Sequence, residues 1–130
     1  MRYMFLIYSR EDPSITREEL AGVAAKHASL LEETSRRGVL RAADPLARST
    51  TATTVRVEDG KVLVTDGPFA ETKEQLAGYY ILDCRDLDEA VEWAAKIPSS
   101  CQGAPGYVEI RPLREIGKLG GPHERPERNS

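Results

Sequence analysis

Histidine is the most informative reactive side chain in this sequence, which contains two, His27 and His123. His27 lies among apolar residues spaced for one face of a helix, whereas His123 lies in a polar, charged C-terminal segment. Because an imidazole has an ordinary pKa of about 6.5, His27 can act as a general acid and base near neutral pH. The alternative role is an interior histidine with one hydrogen-bond partner. The sequence leaves both roles open for His27 and predicts a solvated His123.

A second group of reactive side chains follows a short alternating valine run. Asp66 ends that run and precedes Gly67-Pro68, so its carboxylate either bonds the amides of a turn or faces a pocket. Glu71 and Lys73 come next, close to the apolar Phe69. We expect this loop to be either a solvated surface or a cleft wall. In the second case Lys73 and Glu71 contact the substrate, and Lys73 suits an anionic carboxylate or enolate.

Aromatic hydroxyl groups form a third set of candidates. Tyr79, Tyr80 and Tyr107 lie in predicted strands. They are either core aromatics or the lining of a pocket for a flat ligand. Together with Phe69 and the charged loop, Tyr79 and Tyr80 predict a small-molecule ligand that is anionic or aromatic.

The sequence predicts neither a metal nor a cofactor. His27, Asp66, Cys84 and Cys101 are ligand types, but no two of them have a recognised metal spacing. There is no Walker loop and no dinucleotide-binding glycine fingerprint. The two cysteines are neither a disulfide framework nor a zinc quartet, and they favour a reducing, cytoplasmic location.

Length and charge narrow the class of protein further. With 130 residues, 40% apolar and 30% charged, the chain is sized for one compact domain. The longest uncharged apolar run, Met4 to Tyr8, is too short to span a membrane, and no signal peptide is recognisable. A net charge of −3 argues against electrostatic binding of nucleic acid.

The elements that must position these residues begin with a strand and a long helix. Met1 to Tyr8 is apolar on both faces, which is typical of an inner strand covered on both sides. Thr16 and Glu19 form a capping box that begins a helix ending near Gly38. Its predicted packing stripe is Leu20, Val23, Ala24, His27, Leu30 and Leu31.

A hairpin follows a short strand predicted at residues 39–43. Asp59-Gly60 suits a type I′ turn between residues 53–58 and 61–66. This register pairs Val57 with Val62 and Val55 with Val64, so the four valines share one face. Asp66 continues that face at the far end of the strand.

The remaining elements complete two strand-helix-strand units. We predict a loop at 69–76, a strand at 78–84, a helix capped by Asp86 with Glu89, and a strand at 107–113. The stripe of this second helix is Leu87, Ala90, Val91, Ala94 and Ile97. The order predicts an α+β, ferredoxin-like sandwich over 1–116, followed by a flexible tail at 117–130. Because two helices cover one sheet face only, we expect a symmetric homodimer to cover the other.

The chain also resembles a known family. Residues 64–76 (VTDGPFAETKEQL), followed by Gly78-Tyr79-Tyr80, closely resemble the motif of the DGPF branch of the YCII-related family. The likeness continues at 86–90, 93–94, 97–98 and 108–112, so it spans roughly residues 1–115. It implies a ferredoxin-like fold that dimerises into an α+β barrel. One branch of the family is a dehydrochlorinase acting on a ring compound, and DGPF members are often encoded beside alternative sigma factors.

The resemblance also bears on catalysis. His27 matches the family's helix-borne histidine, for which a paired Asp near the end of the second helix has been proposed. Here that position reads Ile97-Pro98-Ser99-Ser100 and has no Asp, so we expect Asp66 to be the carboxylate of any pair. Two hypotheses remain open: a cofactor-independent lyase or isomerase using His27 and Asp66, and a dimeric ligand-binding or regulatory module associated with a sigma factor.

Overall fold

The computed structural model describes residues 1–99 and 106–115, and their element order is the one expected from the sequence. The strands are β1 (Arg2–Arg10), β2 (Leu40–Pro45), β3 (Thr53–Glu58), β4 (Lys61–Asp66), β5 (Glu74–Asp83) and β6 (Gly106–Pro112). The helices are α1 (Arg17–Arg36) and α2 (Leu87–Ala94), and a short 3-10 turn covers Ser49–Thr51. Cys101, His123 and the tail predicted at 117–130 lie outside the described residues.

The main sheet has four strands in the order β2-β5-β1-β6, and all three neighbouring pairs are antiparallel. This order and the two helices are consistent with a ferredoxin-like α+β fold. A β-bulge between Ile7 and Tyr8 shifts the β1–β5 register. The predicted loop at 69–76 is too long, because β5 already begins at Glu74 and pairs there with Arg10.

The core lies between the helices and one face of this sheet. Alternate residues of β1 are buried, and Phe5 has 0% exposure at the centre. Trp93 and Ala90 of α2 pack into the same cluster, together with Leu30 of α1. The opposite side chains of β1 are only half-buried, since neither helix covers that face of the sheet.

Helix α1 begins as predicted but packs differently along its length. The Thr16 hydroxyl accepts a hydrogen bond from the Glu19 amide, and the Glu19 carboxylate accepts one from the Thr16 amide. The predicted stripe is wrong for the first half of the helix, because Leu20 is 43% exposed while Leu30 is buried. Only the second half of α1 contacts the core closely.

The stripe expected for α2 is confirmed for Ala90 and Ile97, which are buried, and for Ala94, which packs against the core, but it is wrong for Leu87 and Val91. Asp86 caps the helix by accepting from the Glu89 amide, whereas the Glu89 carboxylate accepts from the Arg85 amide. Leu87 and Val91 are 55% and 51% exposed. Trp93, which is not part of the expected stripe, is buried in the core cluster.

The β3–β4 hairpin has the predicted register and forms a separate two-stranded sheet. Asp59 and Gly60 have φ values of 52° and 76°, as a type I′ turn requires. The shared valine face is solvent-exposed, at 58–67% for its four side chains. Neither helix of the described part is long and apolar enough to cross a bilayer.

Candidate functional site

A cavity of about 500 Å³ separates the first half of α1 from the sheet edge formed by β2 and β5. Pro45 at the end of β2 and residues 46–48 of the segment that follows also line it. Most of its lining is apolar, including Leu20, Val23 and Leu31 of α1 and Ile7 and Ala77 of the sheet. Leu20 and Val23, stripe residues that do not reach the core, therefore line this cavity, and Leu31 lies between the cavity and the core. A volume in this range is typical of small-molecule sites.

His27 lies on the wall of this cavity and contacts Tyr80. Nδ1 of His27 is 2.7 Å from the Tyr80 hydroxyl oxygen, and the two rings stack with centroids 5.9 Å apart. Tyr80 is 3% exposed on the helix-facing side of β5, so it presents a fixed hydroxyl to the half-buried imidazole. Burial lowers the pKa of His27 below its ordinary value of 6.5. The ring is therefore neutral at neutral pH.

The Tyr80 contact leaves Nε2 as the ring nitrogen available to a ligand. If Nδ1–H donates to Tyr80, Nε2 carries the lone pair and can accept a proton. If the Tyr80 hydroxyl donates to Nδ1, Nε2–H is a donor instead. A neutral imidazole with one nitrogen held in this way can both take up and return a proton.

Tyr79 and Asp44 form a second polar pair near the same edge of the sheet. The Tyr79 hydroxyl donates to a carboxylate oxygen of Asp44 at 2.7 Å, and this hydrogen bond raises the pKa of Tyr79. The two residues are register partners on β5 and β2, one position away from the Ala43–Tyr80 pair. Because side chains alternate along a strand, Tyr79 and Asp44 project on the sheet face opposite Tyr80. The two predicted tyrosines are thus on different faces.

Asp44 and Arg48 are residues of this site that the sequence reasoning missed. Both line the cavity, and Arg48 is half-buried with one guanidinium N–H donated to the Asp12 carbonyl at 3.1 Å. Neither belongs to a motif, since the site depends on how the segment after β2 folds against α1. The available signal is weak: two charged residues in the stretch that follows the strand predicted at 39–43.

The structure does not bring the expected loop residues to His27. Asp66, Glu71 and Lys73 line a different cavity, of about 470 Å³, which also includes Glu11 and Ser49. All three loop residues are exposed. The expected His27–Asp66 pair is therefore not formed here, because the β3–β4 hairpin is a sheet of its own and Asp66 lies at its base.

Phe69 and Cys84 are also placed away from the His27 contact. Phe69 is 78% exposed, and the Arg56 guanidinium lies 6.0 Å from its ring centroid. Cys84 is 1% exposed, and burial raises its pKa to about 11, so it is an unreactive thiol at neutral pH. Within the described ranges, no group of three or more His, Cys, Asp and Glu side chains is arranged to hold a metal ion.

Comparisons with known proteins agree with this fold. A family model of the YCII-related domain matches residues 1–116. An uncharacterised protein of Rhizobium meliloti (strain 1021) is 38% identical to this chain over 106 residues. The alignment covers 82% of this chain and 79% of that protein.

Proposed function

The chain belongs to the YCII-related domain family, and we propose that it is a cofactor-independent lyase or isomerase acting on a small organic acid. The observation that carries the proposal is the contact between His27 Nδ1 and the Tyr80 hydroxyl on the wall of an apolar cavity. The cavity presents a mostly apolar lining to a ligand, and burial lowers the pKa of the imidazole beside it, which favours the neutral ring that can accept a proton.

The proposed reaction uses His27 as acid and base in turn. With Nδ1–H donated to Tyr80, Nε2 removes a proton from a carbon next to a carbonyl or carboxyl group. In an isomerase the C–H electron pair forms a double bond to the carbonyl carbon while the carbonyl π pair moves onto its oxygen, which gives an enolate; in a lyase the double bond forms to the adjacent carbon that loses the leaving group. In an isomerase the imidazolium returns the proton to another atom, and in a lyase a group on the adjacent carbon departs with its bonding electrons. Tyr80 holds the ring in one orientation throughout.

Hydrogen exchange into an enolisable acid tests this chemistry. We expect wild-type protein to accelerate deuterium incorporation at the methylene group of phenylpyruvate in D₂O, measured by proton NMR. His27→Asn removes the titrating group and should reduce the rate to that of buffer. An equal rate for wild type and His27→Asn would refute the role of His27.

A ligand-binding or regulatory module is the second candidate. The observation in its favour is that the hydrogen-bond partner of His27 is a phenol. A neutral phenol stabilises an imidazolium less than a carboxylate does. The DGPF resemblance adds the proposal that such a module is associated with an alternative sigma factor. Binding of phenylpyruvate to the cavity without any acceleration of exchange would favour this second candidate.

We further propose that the chain forms a homodimer through the sheet face opposite the helices. The proposal is supported by a half-buried apolar surface on the two central strands, β1 and β5. Tyr107 of β6 extends this surface; it is 52% exposed, and its ring stacks on Tyr8 with centroids 5.2 Å apart. The other members of this surface are Met4, Leu6, Tyr79 and Ile81. We expect Leu6→Glu to convert a dimer to a monomer in sedimentation velocity, because a charge cannot be buried there unpaired. A monomeric wild-type protein would contradict the proposal.

A further inference from the structure

Two residues with charged side chains, Asp44 and Arg48, line the His27 cavity. The carboxylate of Asp44 accepts the Tyr79 hydroxyl hydrogen bond on the opposite face of the sheet. His27 is neutral because burial lowers its pKa. Arg48 is therefore the charged group left to act on a ligand lying beside His27.

Among the described arginines, Arg48 is the half-buried one without a carboxylate partner; Arg10, Arg17, Arg36 and Arg114 also have none but are exposed. Six of the others have a carboxylate oxygen within 4.0 Å, namely Arg2, Arg37, Arg41, Arg56, Arg85 and Arg111. Arg48 has none within that distance in the described part of the chain, although it is half-buried, and its recorded hydrogen bond goes to the carbonyl of Asp12. A guanidinium has five N–H donors, so most of its capacity is unused.

Two carboxylates on the segments next to Arg48 accept hydrogen bonds from serine residues. Asp12 accepts hydrogen bonds from the amide and hydroxyl of Ser14, at 2.9 and 2.7 Å. Glu11 accepts from the amide and hydroxyl of Ser49, both at 2.7 Å. The hydrogen bonds from Ser14 and, to a smaller extent, the charge of Arg48 lower the pKa of Asp12, so Arg48 acts on this carboxylate at a longer range than a salt bridge. Within the described residues the guanidinium donates to no carboxylate, and a ligand carboxylate in the cavity can accept from its remaining N–H groups.

We propose that Arg48 is the residue that selects the ligand, by binding the carboxylate of a monoanion whose apolar body fills the cavity. The planar fork of a guanidinium matches the two oxygens of a carboxylate. The remaining lining, which includes Leu20, Val23 and Leu31, suits a hydrocarbon or aromatic body. This inference rests on the proposed function, since it names the substrate class for the same cavity and assigns to Arg48 the anion-binding role expected of Lys73.

A matched pair of neutral and anionic probes tests the assignment. 4-Phenylbutanoate and 4-phenylbutanamide have the same apolar body and differ in charge. We expect wild-type protein to bind the acid at least about tenfold more tightly than the amide in isothermal titration calorimetry. Arg48→Met should bring the two affinities together and change the affinity for the amide less than about twofold. Arg56→Met, which removes the same charge from the exposed hairpin, is the control and should keep the preference for the acid.

The outcomes separate this inference from the proposed function. Equal affinities in wild-type protein, or an unchanged preference in Arg48→Met, would overturn the role of Arg48 while leaving the cavity as a binding site. Binding of neither probe would overturn both proposals. The wild-type comparison needs no folded variant, and Arg48→Lys, which keeps the positive charge, should retain part of the preference for the acid.

Discussion

The effect of His27→Ala on protein stability shows whether His27 is a residue of the site or a structural residue of the core. The side chain is half-buried, with one hydrogen bond to Tyr80 and one ring contact with it. A hydrogen bond of this kind contributes about 0.5–1.5 kcal/mol to the free energy of unfolding. The stacked contact adds about 0.5–1.5 kcal/mol. We therefore expect His27→Ala to lower the free energy of unfolding by about 1–3 kcal/mol.

Two further variants calibrate this value. Phe5 is at 0% exposure in the centre of the core, so Phe5→Ala should cost about 3–5 kcal/mol. His27→Asn keeps an amide nitrogen close to the position of Nδ1 and should lose less stability than His27→Ala. Urea unfolding followed by fluorescence suits all three variants, because Trp93 is the single tryptophan of the chain and is 4% exposed.

The unfolding measurements can also show that His27 is not a site residue. A loss in His27→Ala as large as in Phe5→Ala, or failure of His27→Ala to fold, would show that His27 is a structural core residue. In that case the enzyme proposal would lose its acid and base. A small loss of stability together with loss of hydrogen exchange into phenylpyruvate is the expected combination.

Three further predictions follow from the backbone and from the burial of His27. A Cβ on Gly78 would lie 2.9 Å from the Asp44 carbonyl oxygen, so Gly78→Ala must displace β2. We expect this variant to bind 4-phenylbutanoate more weakly in the His27 cavity. An unchanged affinity would argue against β2 as a wall of the binding site. Gly60→Val places a branched side chain at a φ of 76° and should speed amide hydrogen exchange in the β3–β4 hairpin without changing it in β1. Equally faster exchange in the hairpin and in β1 would contradict the separation of the two sheets. Because burial lowers the pKa of His27, the folded protein favours the neutral ring, and the free energy of unfolding should fall as the pH drops below about 6.5. His27→Asn should lack this fall in the free energy of unfolding. Parallel pH profiles of stability for the wild type and His27→Asn would refute the contribution of His27.

Local signals in the sequence are sufficient for the starts of both helices and for the hairpin turn, but not for the ends of β1 and β5. The capping box of Thr16 and Glu19 begins α1, and Asp59-Gly60 sets the hairpin register, because each acts through backbone groups only a few residues away. The order of strands and helices also follows from such local patterns.

Helical periodicity was less informative about packing partners. It groups Leu20 and Val23 of α1 on one face but does not say whether that face meets the core or a cavity. In α2 the same pattern favours Leu87 and Val91, whereas the sheet is covered by Trp93. What decides these cases is the position of the helix over the sheet, which depends on contacts distant in sequence.

The candidate site, like the helix packing, is only partly predictable from the sequence. His27 is identifiable from its place in the stripe, but its partner Tyr80 is 53 residues away and depends on the packing of α1 over β5. Arg48 carries no local pattern and becomes informative only when the segment after β2 lines the cavity. Asp66 was expected beside His27 on the basis of residue type, whereas the separate hairpin sheet places it elsewhere.

The titration of His27 by NMR tests the central claim most directly. The imidazole signals can be assigned by comparison with His27→Asn, and they can be followed with pH in the absence and presence of 4-phenylbutanoate. We expect a pKa below about 6.5 in the free protein and a change in the His27 nitrogen shifts when the probe binds. A His27 that titrates like a solvent-exposed histidine and does not respond to the probe would rule out a catalytic role for this residue.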